Sequence, residues 1–172
     1  AEAVPLPWYE GDSGAGKSHF AFEIAELISD EGYRTKIFCL EEGIGQLTKD
    51  KLNRYDLSND VMISGTATLS DLRKAASQFD LVVLDSFGKL DVDALEFENL
   101  RTDFPQTVFV IIFQKTATGS IRGGASIIFN SAATIDITKD GHERIATMVK
   151  GRYGTQGWRY SIATKHILQQ ED

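Results

Sequence analysis

Apolar positions along the chain follow two rhythms, one of helices and one of buried strands. Ser18 to Ile28 places Phe20, Ala21, Ile24, Ala25, Leu27 and Ile28 at helical spacing, and Gly32 stands where that helix should stop. Leu47 to Tyr55, Leu72 to Phe79 (opened by Ser70) and Val92 to Phe104 carry the same period, and Pro105 ends the last. Between them lie short apolar runs: Trp8-Tyr9-Glu10, Lys36 to Leu40, Val61 to Ser64, Leu81 to Asp85 and Thr107 to Phe113. The runs at 81–84 and 107–113 are continuous rather than alternating, which predicts strands covered on both faces. After residue 113 the rhythm changes. Ala133 to Thr138, Arg144 to Lys150 and Trp158 to Ala163 read as antiparallel strands joined by turns at Asp140-Gly141 and Gly154 to Gly157. Strand–helix alternation followed by hairpins predicts a three-layer α/β domain with a mainly parallel central sheet and antiparallel C-terminal strands.

Length and composition sharpen this picture. At 172 residues the chain fits a single domain, with its core over about residues 8–163 and a tail over 164–172. One cysteine, Cys39, excludes a disulfide framework within the chain and fits a reducing compartment. Three histidines and one cysteine form no metal-ligand spacing. No apolar run reaches the ~18 residues of a membrane span, and the N-terminus lacks the pattern of a secretory signal, so the expected location is the cytoplasm. Eighteen basic against twenty-five acidic residues give −7, which offers nucleic-acid binding no global support.

The strongest chemical signal is Gly11-Asp12-Ser13-Gly14-Ala15-Gly16-Lys17-Ser18, a full match to G-x-x-x-x-G-K-[ST] with a strand before it and an amphipathic helix after it. Glycines let successive N–H groups converge on phosphate oxygens, and the helix N-terminus favours the anion. Lys17 suits the β- and γ-phosphates of a nucleotide, and the Ser18 hydroxyl suits Mg²⁺. His19 closes the cradle at the top of the helix. Asp85 ends an apolar strand, the place for a carboxylate facing that Mg²⁺.

Four further segments resemble the RecA-like ATPase core, on the branch of RecA, RadA, KaiC and the DnaB-type replicative helicases. The resemblance covers roughly Trp8 to Ala163. Phe38-Cys39-Leu40-Glu41-Glu42-Gly43 matches the place of the family's catalytic glutamate, with Glu41 as the better match and Glu42 beside it as a second carboxylate able to share or replace that role. Asp85-Ser86 matches the family's Asp-Ser at the Mg²⁺ strand. Phe113-Gln114 matches its polar sensor of the γ-phosphate. The loop from Lys115 to Gly124 then corresponds to a DNA-contacting loop, in which Lys115 and Arg122 would meet phosphates. Met148-Val149-Lys150-Gly151-Arg152-Tyr153-Gly154 resembles the Lys-x-Arg-x-Gly turn that in that family reaches into a neighbouring subunit's ATP site.

The resemblance implies ATP and Mg²⁺ as cofactors, a homo-oligomer in the form of a hexameric ring or filament, and single-stranded DNA as partner, with no membrane. Hydrolysis would then drive DNA binding or translocation, as in replication or recombination helicases. No N-terminal helical domain or linker helix of the full DnaB-type proteins is legible in these residues. It looks instead like compact stand-alone forms encoded by phages or plasmids. A RecA- or KaiC-like ATPase acting on a protein partner is the alternative, favoured by the −7 and the Glu-Glu pair. A small-molecule kinase would need an arginine-rich lid and an acceptor pocket, and neither is legible.

Overall fold

The computed structural model describes residues 16–57, 60–114, 125–154 and 156–168. The chain divides into two compact units, residues 21–129 and residues 1–20 with 130–172.

The first unit is built on a parallel sheet. Strands β1 (Thr35–Cys39), β2 (Val61–Ser64), β3 (Leu81–Asp85) and β4 (Val108–Ile112) stand in the order β2-β1-β3-β4. Each neighbouring pair is parallel and in register, so that Cys39, Asp85 and Ile112 are level at the carboxyl edge. The helices are α1 (Lys17–Asp30), α2 (Gln46–Leu52), α3 (Leu69–Gln78), α4 (Ala94–Asp103) and α5 (Ala125–Asn130).

Successive residues of β3 point to opposite faces, and both faces are covered. Val82 and Leu84 join Phe38 in one core with Leu72, Ala75 and Ala76 of α3, Phe97 and Leu100 of α4, and Ile127 of α5. Leu81 and Val83 join Ile37 and Cys39 in a second core with Ala21, Phe22 and Ala25 of α1 and with Tyr55. This accounts for the continuous apolar run in the sequence. Burying each such side chain contributes about 1.5–3 kcal/mol.

Both α3 and α4 begin with a capping box. Thr68 and Asp71 exchange hydrogen bonds around the start of α3, and Asp93 and Glu96 do so for α4. The cap of α3 is therefore Thr68, two residues before the expected Ser70. Helix α2 stops at Leu52, short of the expected Tyr55. The expectation that the strand at 107–113 is fully buried does not hold. Val108 is 56% exposed and only Ile112 is buried, because β4 has β3 as its single partner among the described residues.

The second unit holds a separate antiparallel sheet in the order β5-β6-β7-β8, formed by Ala133–Asp140, Glu143–Gly151, Arg159–Ser161 and His166–Leu168. These strands do not extend the parallel sheet. The β5–β6 hairpin pairs Asp140 with Glu143 across Gly141 and His142. Gly141 has φ 59°, a conformation that glycine adopts without a Cβ penalty. Strand β8 lies where the sequence predicts only a tail, and α5 lies where it predicts no helix. The rings of Trp158 and Tyr160 stack 5.6 Å apart at 9°.

The aromatic centre of the first core generates one prediction. Phe97 meets Phe87 and Phe109 edge-on, with centroids 5.5 and 5.3 Å apart. Phe97→Ala should cost about 3–5 kcal/mol. It should appear as a lower urea midpoint at unchanged slope.

Candidate functional site

Parallel strands gather their carboxyl ends on one edge, which is where such sheets hold ligands. On that edge the chain leaves β1 through Leu40, Glu41 and Glu42, leaves β3 through Asp85 and Ser86, and leaves β4 through Phe113 and Gln114. The Leu40 and Glu41 N–H groups both donate to the Asp85 carbonyl, at 2.5 and 3.1 Å. The exit of β1 is thus tied to the end of β3. The Gln114 side-chain Nε2 donates to Glu41 Oε1. Residues 73 positions apart in sequence meet there, with Asp85 and Ser86 buried at the adjacent strand end. The Asp85–Ser86 peptide bond is cis.

The two glutamates diverge. Glu41 meets Gln114, whereas Glu42 Oε1 accepts from Lys51 Nζ of α2 at 2.8 Å. The turn between them and α2 is shaped by Gly43, at φ 64°, whose carbonyl accepts the Thr48 hydroxyl at 2.8 Å. It is also shaped from outside. A Cβ on Gly65, just past β2, would stand 3.0 Å from both the Ile44 backbone N and its Cγ1. Neither Lys51 nor Gly65 is legible as a site residue in the sequence, because each acts through a contact that only the fold creates.

Cys39 ends β1 beneath this edge. Burial pushes its thiol up to about 12, and the carboxylates of Asp85 and Glu42 push in the same direction.

In the other unit, Gly16 holds φ 84° and its carbonyl accepts the first helical hydrogen bond from Phe20 N at 2.9 Å. Lys17 and Ser18 open α1 half-buried, and His19 is buried. A Cβ on Gly16 would touch Arg144 Cγ at 3.5 Å and Ile162 Cδ1 at 3.6 Å, so positive φ rather than space demands glycine here. The Phe20 ring lies 6.0 Å from that of Tyr160. Lys150 stands near the end of β6. Arg152 follows in the turn, where its Nη2 donates to the Asn130 carbonyl at 3.2 Å and its backbone N to the Ala132 carbonyl at 3.0 Å. The phosphate-loop residues Gly11, Asp12, Ser13, Gly14 and Ala15 lie outside the described residues, as do Trp8, Lys115 and Arg122.

The structure thus brings Glu41, Asp85 and Gln114 together, sets Glu42 toward Lys51, and places Lys17, Ser18, Lys150 and Arg152 in the other unit. Among the described residues no cluster of three or more His, Cys, Asp or Glu side chains could hold a metal. Among them, too, no helix is long and apolar enough to cross a membrane.

No protein-family model matches the sequence. No curated protein matches it either. Its structure is similar to that of the flagellar accessory protein FlaH from Methanocaldococcus jannaschii, with a TM-score of 0.61 at 10% identity, over 92% of this chain and 86% of that one. The fold is RecA-like. At that identity the likeness concerns the fold, and the chemistry of the edge rests on this chain's own residues.

The Cys39 thiol gives a direct check on the buried edge. Raised from its ordinary value near 9 to about 12, it stays protonated through the neutral range. Stability held by the protonated form is complete below pH 9 and is lost as pH rises toward 12. At about pH 8 a thiol reagent should label native protein far more slowly than protein unfolded in guanidinium. Equal rates would show an open edge.

Proposed function

We propose that the chain is a Mg²⁺-dependent ATP hydrolase of the RecA-like kind, assembled from identical copies and coupled to single-stranded DNA. The observation that carries this reading is the Gln114 hydrogen bond to Glu41 beside Asp85, on the carboxyl edge of a RecA-like sheet. A phosphate-binding sequence in full register supports it.

The donors fit the ion. The Asp85 carboxylate and the Ser18 hydroxyl are hard oxygen ligands of the sort Mg²⁺ takes in ones and twos beside phosphates. When bound, the ion would neutralise charge on the phosphates.

Lys17 would hold the β- and γ-phosphates. Glu41 would orient water for in-line attack on the γ-phosphorus and accept its proton, as the bond to the β–γ bridging oxygen breaks and ADP and phosphate leave. Gln114 would report the γ-phosphate to the loop that follows it, where Lys115 and Arg122 are the DNA contacts. Glu42, held by Lys51 at 2.8 Å, would be the second candidate for the role of Glu41. Lys150 and Arg152 would serve the next copy's nucleotide, stabilising charge on the transferring phosphoryl group.

Glu41→Gln should lower turnover by about 10²–10⁴-fold while nucleotide still binds. Glu42→Gln should cost much less, and a reversed order would exchange their roles. Arg152→Ala should reduce turnover ~10³-fold or more without loss of nucleotide binding. Phosphate release measured with and without single-stranded DNA tests the coupling. Stimulation that fades with salt is expected, and its absence would favour a protein partner.

A further inference from the structure

Two carboxylates leave β1 side by side, and each has the chemistry of a base. The fold treats them differently. The Glu41 carboxylate accepts from the Gln114 amide at the exit of β4, whereas Glu42 Oε1 accepts from Lys51 Nζ of α2 at 2.8 Å.

Helix α2 is set to deliver that lysine. Thr48 and Lys51 are three positions apart and so share one face of the helix. Thr48 is 2% exposed, and its hydroxyl donates to the Gly43 carbonyl at 2.8 Å. The helix is thereby tied to the turn directly beside Glu42. At the helix start the Gly45 carbonyl accepts from Lys49 N at 3.1 Å. The Lys51 side chain is 12% exposed, against 34% for Glu42. Giving up that much water costs a lysine free energy, which a close carboxylate offsets.

The pair stands at the edge itself. Burial is the main cause of the raised Cys39 thiol, Asp85 and Glu42 raise it further, and Lys51 lowers it. Cys39 is level with Asp85 across the β1–β3 pairing. The charges of Asp85, Glu42 and Lys51 therefore gather around one point of the edge. Glu42 stands close enough to compete with Glu41, and what differs is its partner. An amide contact is given up cheaply when a water has to be engaged. An ion pair is not, since parting it deprives a mostly buried ammonium of its carboxylate.

We propose that Lys51 is a positioning residue that keeps Glu42 out of the reaction and so leaves Glu41 as the base. The inference rests on the ATPase reading for the reaction, and on the contacts of α2 for the assignment. What Lys51 withholds is one proton transfer, from the attacking water to Glu42. It would accompany bonding of the water oxygen to the γ-phosphorus and departure of ADP.

The test measures phosphate release over a range of ATP concentrations, with a urea transition for each variant to show that it is folded. Glu41→Gln should lower kcat by about 10²–10⁴-fold. Adding Lys51→Met should raise kcat again by ~10-fold or more at unchanged KM for ATP, because Glu42 is then free to take the proton. Adding Glu42→Gln as a third change should remove that gain. Lys51→Arg in place of Lys51→Met should give none, since a guanidinium keeps the pair. A lysine that merely supported the turn could only lower activity when lost. If Lys51→Met does not fold, Lys51→Gln takes its place, keeping a donor without the charge.

A folded protein with Glu41→Gln and Lys51→Met that is no faster than Glu41→Gln alone would overturn the inference. So would a gain that survives Glu42→Gln. Either result leaves ATP hydrolysis by wild type standing. Wild type that releases no phosphate from ATP would remove the ATPase reading, and the role of Lys51 with it.

Discussion

The candidate site depends on β3 being held on all sides. Its backbone is paired with β1 and β4, and its side chains are buried in two separate cores. A strand so confined cannot slide, because a one-residue slip would send each apolar side chain to the opposite core. Asp85 is thereby fixed in depth. Two N–H groups from the exit of β1 converge on its carbonyl, so the position of Glu41 is inherited from β3. Gln114 arrives on β4, the other neighbour in the same register. Three polar groups on three strands are thus placed by apolar packing beneath them.

That division explains what the sequence discloses. The run from Leu81 to Leu84 announces a doubly covered strand because both cores draw on it. The run at 107–113 looks alike in composition, yet Val108 is exposed, since apolar content does not reveal how many neighbours a strand acquires. Helix α5 has six residues and β8 three, too few for a period to emerge above chance. Thr68 rather than Ser70 caps α3 because Asp71 is spaced to complete a capping box with Thr68.

The chemistry was legible by residue type and less so by arrangement. Glu41, Asp85 and Gln114 can each be picked out as strand-end polar residues, but their convergence needs the sheet order. The separate fates of Glu41 and Glu42 follow from Lys51 and Gln114, which lie on different elements and approach from different directions. Local spacing holds no trace of that.

Gly65 has no chemistry of its own, yet it limits what the chain can become. Two atoms of Ile44 crowd it, Cγ1 and the backbone nitrogen of the turn after the two glutamates, and the backbone cannot rotate out of the way as the side chain can. Any larger residue at 65 requires the turn at Ile44 to give by a few tenths of an ångström. The position acts as a steric gauge. It links the far end of β2 to the geometry of the edge, and it makes variation in a plain surface loop answerable to the site.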